Sequence, residues 1–150
     1  MNTTVTDSPE PFVAEHVHRY LASDGEDGYL EGGMTNLLLT TLGRRSGQWR
    51  RTALFFTEDA GRLVLVASSA AMGPPRPPDW YLNLQATPEA FVQVRAEKYP
   101  VRARTARGAE RERLWTLMAT KAPIYQRHAA HSRWEIPVVV LERIDEEQST

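Results

Sequence analysis

The densest chemistry in the chain is Gly43-Arg44-Arg45-Ser46-Gly47-Gln48-Trp49-Arg50-Arg51. Four arginines, one hydroxyl and two glycines fall within nine residues. Arginine meets phosphate and carboxylate oxygens with a planar fork of N–H donors. Glycine lets the backbone approach a ligand and aim its N–H groups at an anion. The stretch suits an anion site, and the same composition suits a solvated hairpin turn.

Three further stretches carry candidate residues. Val66-Ala67-Ser68-Ser69-Ala70-Ala71 brings small side chains to a strand end, which leaves room for a flat ring or a phosphate. Tight packing at a barrel rim would use the same residues. Asp79-Trp80-Tyr81-Leu82-Asn83-Leu84 offers two aromatics that either wall a pocket or fill the core. In Pro123-Ile124-Tyr125-Gln126-Arg127-His128, Tyr125 and His128 are three apart and share one face of any helical turn. Either can donate a proton to a developing oxyanion, and either can equally be a half-exposed polar aromatic.

Much chemistry is excluded. The chain has no cysteine, hence no disulfide, thiolate nucleophile or cysteine-bound metal. His16 and His18 diverge on a helix, and His128 and His131 lack a carboxylate on the same turn, so no metal is assigned. No G-x-S-x-G, H-E-x-x-H or P-loop is present. A net charge of −1 argues against a nucleic-acid partner. A site without nucleophile, triad or metal points to a cofactor as the carrier of the reaction.

The elements that position these residues follow from the pattern. One hundred and fifty residues fit one core. Met1 to Asp7 reads as a disordered tail. Ser8 caps a helix with Pro9 in its first position, running to about Ala22. Asp24 to Gly33 reads as a loop. Asn36 to Leu42, Arg51 to Thr57 and Arg62 to Ser68 read as an antiparallel meander, the last two joined by the turn Glu58 to Gly61. Ser69 to Pro78 is an irregular loop. Asp79 caps a short helix over Trp80 to Ala86. Ala90 to Ala96 and Tyr99 to Thr105 form a hairpin. Gly108 to Ala122 is an amphipathic helix with Leu114, Leu117 and Met118 inward, and Pro137 to Glu142 is the closing strand. About six strands with short connections predict a mainly β, antiparallel barrel with peripheral α-helices. The division expected is 1–33 as tail, helix and loop, 34–144 as the cofactor-binding domain, and 145–150 as a polar tail. No targeting or integral membrane segment is visible, which predicts a cytoplasmic protein and leaves room for peripheral membrane contact. Monomer and homodimer both remain open.

Five motifs in order carry a resemblance. Leu38-Leu39-Thr40-Thr41-Leu42-Gly43-Arg44-Arg45-Ser46-Gly47-Gln48, Val66-Ala67-Ser68-Ser69, Trp80-Tyr81-Leu82-Asn83-Leu84, Tyr125-Gln126 and Ile136-Pro137-Val138-Val139-Val140 resemble the deazaflavin (F420)-dependent nitroreductase family, from about Asn36 to Glu142. The resemblance implies a split β-barrel that holds coenzyme F420, whose phosphate and glutamate tail make it more anionic than FMN. It implies that Arg44, Arg45, Ser46, Gly47 and Arg50 bind phosphate and tail. Ala53 and Phe55 line the ring, Val66, Ala67, Ser68 and Ser69 meet the phosphate, and Trp80 flanks the cofactor. Tyr125 lies on the substrate side, with His128 or water as substitute donors. The reaction implied is hydride transfer to a quinone, an activated alkene or a nitroarene. The sequence departs from the family at Ala53 and Phe55, where proline and tyrosine are frequent. It departs again at Ser69, where lysine is frequent and Arg76 is the nearby charge, and at Ala122 and His128, where tyrosines are frequent. An FMN-binding enzyme of the same barrel and a non-catalytic binder of a cofactor or apolar ligand are the alternatives.

Overall fold

The computed structural model describes residues 5–68, 76–131 and 135–144. Its elements in chain order are β1 (Val5–Thr6), α1 (Pro11–Ala22), β2 (Leu30–Glu31), β3 (Met34–Leu42), β4 (Trp49–Phe55), β5 (Thr57–Asp59), β6 (Arg62–Val66), α2 (Asp79–Ala86), β7 (Glu89–Val94), β8 (Glu97–Thr105), α3 (Gly108–Lys121), α4 (Ile124–His131) and β9 (Val138–Arg143). The strands form one sheet in the order β1-β4-β3-β7-β8-β9-β6-β5, with β2 added to β3. All pairings are antiparallel except β1 with β4. This is the mainly β, split-barrel architecture expected, curled but not closed into a continuous ring of strands.

Several local readings are corrected. Val5 and Thr6 are not tail: they pair with Trp49 and Arg50. The first helix starts at Pro11, with Glu10 rather than Ser8 at its N-cap, and the Ser8 hydroxyl accepts the Glu10 N–H at 3.2 Å. Asp79 does not cap α2; it sits in the first turn while Pro78 takes the cap position. Leu30 and Glu31, expected in a loop, pair with Thr35 and Met34. Residues 124–131, which follow the helix-breaking Pro123, form a helix of their own. The C-terminal tail 145–150 lies outside the described residues.

The expected meander also breaks. The run Arg51 to Thr57 is two strands, because the Phe56 N–H turns to the Thr35 carbonyl at 3.1 Å and the Thr35 hydroxyl donates to the Phe56 carbonyl at 2.9 Å. β5 and β6 then form a hairpin with Asp59 opposite Arg62. Ala60 and Gly61 between them both have positive φ, 53° and 78°, as a two-residue turn of type I′ requires. β6 pairs with β9, not β4.

Alternation sorts the side chains into three buried clusters. Leu37, Leu39, Leu63, Leu65, Val92, Val101 and Leu141 fill the barrel interior. Val64, Val66, Val138 and Val140 point outward beneath α3 and α4, where they meet Leu114, Met118 and Tyr125. Leu38 points outward beneath Val17 and Tyr20 of α1.

Tyr20 is fully buried and joins three segments. Its hydroxyl accepts the Arg95 N–H at 2.7 Å and lies 3.1 Å from the Asn36 carbonyl and 3.3 Å from that of Gln93. Tyr20→Phe keeps the ring but strands these groups, so chemical denaturation should show a loss of about 1–3 kcal/mol. A loss near zero would mean that the phenol oxygen contributes nothing beyond its ring.

Candidate cofactor cleft and its neighbouring tyrosine

The connection from β3 to β4 folds back on itself. The Gly43 N–H donates to the Gln48 carbonyl at 2.8 Å, the Gly47 N–H donates to the Gly43 carbonyl at 2.9 Å, and the Gln48 N–H donates to Ser46 Oγ at 3.1 Å. Gly43 must be small here. A Cβ at this position would sit 2.6 Å from Ser46 Oγ and 2.9 Å from the Gln48 carbonyl oxygen. Gly43→Ala should therefore open the turn, lowering stability by about 1–3 kcal/mol and disturbing Ser46. Thermal unfolding would register it, and an unchanged midpoint would show the turn to be compliant.

The connection is pinned to α2. The Arg44 N–H and its Nη1 both donate to Asn83 Oδ1, at 3.2 and 2.9 Å. Arg44 Nη2 reaches Asp79 at 3.2 Å, and Arg76 reaches the same carboxylate at 2.9 Å. The two guanidiniums, Arg76 first and Arg44 second, hold the Asp79 carboxyl below the usual carboxylate range. Asn83 is buried and donates to Thr41 Oγ1 at 3.2 Å.

Between the connection, α2 and β4 lies a cavity of about 430 Å³. It gathers Arg44, Arg45, Ser46, Arg50 and Trp80 of the expected residues. It adds Thr41, Thr52, Asp79 and Asn83, which the sequence reading did not name as site residues. The register held their signal: Thr41 lies opposite Arg50, and Thr52 is two residues beyond Arg50 on the same strand face. Asn83 is three residues beyond Trp80 on one helix. Of the aromatic pair, Trp80 lines the cavity, while Tyr81 is buried and its hydroxyl meets Thr105 at 2.8 Å. Gly47 is exposed in the turn, with φ of 70°.

The arginines differ in their commitments. Arg44 is held by Asn83 and Asp79, whereas Arg45, Arg50 and Arg51 make no ion pair among the described residues. Arg51 is half-buried, and burial pushes its guanidinium below the ordinary arginine value. Asp7 offsets part of that effect on Arg51. Guanidiniums that make no ion pair keep their N–H donors available to an anion.

The remaining expected residues do not line this cavity, and the structure does not gather them in one place. Arg51, Ala53 and Phe55 alternate on one face of β4, so that face runs from the cavity edge for four residues, roughly 13 Å at the usual strand rise. Ala53 packs beneath α1, and Phe55 packs on the cluster of Val66 and Tyr125. Ala67 points the other way, into the barrel interior. Ser68 Oγ and His128 Nδ1 are 2.6 Å apart. Ser69 lies outside the described residues. Tyr125 is buried, its ring centroid 6.2 Å from that of His128. Burial alone pushes its phenol up to about 12.

A match to the family described as F420H(2)-dependent quinone reductase runs over residues 12–143. The chain belongs to this family. As a member it is an F420-dependent oxidoreductase, and the FMN and non-catalytic readings give way. Among its relatives is an F420H(2)-dependent quinone reductase of Mycobacterium tuberculosis strain H37Rv, 33% identical over 128 residues, 83% of this chain and 85% of the relative. A solved F420H2-dependent reductase, FDR-A, is 33% identical with a TM-score of 0.64, covering 71% of this chain and 93% of that one. A second solved neighbour, described as a domain-swapped dimer, is 33% identical with a TM-score of 0.68, covering 90% of this chain and 100% of that one. No helix among the described residues is long and apolar enough to cross a membrane. The donor set fits the family's cofactor: an anionic tail needs cations without acidic partners, and Arg45 and Arg50 beside the Gly43 turn supply them.

Proposed function

We propose that the cleft between the β3–β4 connection and α2 holds the phosphate and carboxylate tail of F420, and that this enzyme reduces a quinone or a comparable electron-poor acceptor. The observation that carries the reading is the set of arginines lining the cleft, Arg45, Arg50 and Arg51, which make no ion pair among the described residues. When bound, reduced F420 supplies a hydride. Arg44 contributes from its fixed position on Asn83, Ser46 and Ser68 add hydroxyls, and Trp80 closes one wall. A quinone that accepts a hydride becomes a hydroquinone anion, which takes one proton. Tyr125 is the donor this chain offers, since its phenol stays protonated throughout the neutral range. A cysteine-free chain with a small-molecule acceptor fits a cytoplasmic setting.

The test is a pair of measurements. Fluorescence titration with F420 and FMN should show tighter binding of F420, weakening as sodium chloride rises toward about 1 M, where charges are screened over roughly 3 Å. Reduced F420 should then be oxidised by menadione, with a cyclic enone and a nitroarene tried alongside. Tighter binding of FMN than F420 would overturn the reading.

A further inference from the structure

Ser68 follows β6 and His128 lies on α4, sixty residues later, yet their side chains meet at 2.6 Å. Both are half-buried. The contact ties the end of β6 to α4, beside the apolar packing of Tyr125 on Val66 and Val138.

The contact has a built-in asymmetry. A serine hydroxyl carries one hydrogen. When Nδ1 of His128 bears a proton, it donates to Ser68 Oγ and the serine hydrogen is left for a third group. When the ring is neutral with its proton on Nε2, Nδ1 is a lone pair and takes the serine hydrogen. Ser68 then offers only lone pairs outward, which an anion cannot use.

We propose that His128 is a positioning residue whose charge decides whether Ser68 presents a donor or an acceptor to the anionic cofactor. The proposal rests on the reading of Ser68 as a cofactor contact. Protonated His128 gives the tighter site; deprotonation turns the hydroxyl inward and weakens it. No covalent bond changes beyond the imidazole N–H, which exchanges with water. Imidazole is the side chain that changes charge near neutral pH, so the device works where enzymes work. On α4 the other titratable or charged groups are Tyr125, Arg127 and His131, and Lys121 ends α3. Glu135, ahead of β9, is tied to Arg111 at 3.2 Å. Among the described residues none forms an ion pair with His128.

The first measurement needs no cofactor. Long-range proton–nitrogen NMR of the labelled protein should show neutral His128 as the Nε2–H tautomer, with its Nδ1 resonance displaced in Ser68→Ala. A neutral ring protonated on Nδ1 would overturn the gate outright. The second is F420 affinity from about pH 5 to about pH 8, across the ordinary imidazole titration. Wild type should lose roughly tenfold in affinity relative to His128→Gln as pH rises, the size of one hydrogen bond to a charged group. Titrations of the ligand itself cancel in that comparison. Parallel curves with ordinary F420 binding would sink the gate alone, whereas no F420 binding at any pH would sink the cofactor assignment and the gate with it.

Discussion

Combined replacement of Arg45 and Arg50 by alanine should raise the dissociation constant for F420 about a hundredfold or more, with thermal unfolding unchanged. Each guanidinium that bonds an anionic oxygen contributes about 1.5–3 kcal/mol. Every 1.4 kcal/mol is about tenfold in affinity, so two such losses give at least about a hundredfold. Neighbouring cations share their ligand and need not be additive, which makes the lower figure the secure one. Stability should hold because neither side chain is part of an ion pair or hydrogen bond among the described residues, and the backbone pairing of Arg50 is kept. Arg44→Ala behaves differently: it also releases Asn83 and Asp79, so its binding defect should come with a looser α2. Fluorescence titration at low salt, with an unfolding curve on each variant, separates the two cases. An unchanged dissociation constant in the double variant would reduce the connection to a solvated turn.

Tyr125→Phe should lower kcat by a factor on the order of ten to a thousand, while F420 affinity stays near that of wild type. The ring is buried among Val66, Leu114 and Met118, and phenylalanine keeps that packing. Only the hydroxyl goes. Its bond to the acceptor oxygen strengthens as negative charge develops there, so its loss is felt in the transition state rather than in the ground state. Since burial holds the phenol up to about 12, the wild-type enzyme should show no loss of this donor between about pH 6 and pH 9. Steady-state oxidation of reduced F420 with menadione reads the effect. Full kcat in the variant would hand the proton to solvent; loss of F420 binding would mean that the hydroxyl holds the cofactor.

The barrel was readable because its signals are local and agree with one another. Alternation placed β3, β6, β7, β8 and β9 within a few residues of their observed bounds, and Gly61 marked a turn that only positive φ can make. The break at Phe56 was not readable. It depends on Thr35 capturing the Phe56 backbone, a contact across 21 residues that no local pattern carries. Composition alone left the arginine connection as either an anion site or a solvated turn. The resemblance put Arg50 on the cofactor tail and Ala53 and Phe55 on its ring, and a period of two sets these on opposite faces of β4. Arg50 faces Thr41 and Thr52, while Ala53 travels with Arg51 and Phe55. Applying that alternation earlier would have found Thr52. The pairing of Ser68 with His128 spans sixty residues, and no local pattern carries it.

The position of β9 governs how the chain can be born. This strand lies between β8 and β6, with Leu63 opposite Leu141 and Ala103 opposite Leu141 on its other edge. It is the last strand in sequence, yet it alone fastens the β5–β6 hairpin to the rest of the sheet. On a ribosome the hairpin emerges some eighty residues before its partner. At about 5–20 residues per second, β6 waits seconds with one apolar edge unpaired. The β5–β6 hairpin therefore joins the sheet only after β9 has emerged. A nascent chain stalled before Val138 would present the unpaired backbone edge of β6, from Leu63 to Val66, as a target for chaperones or for another copy's edge.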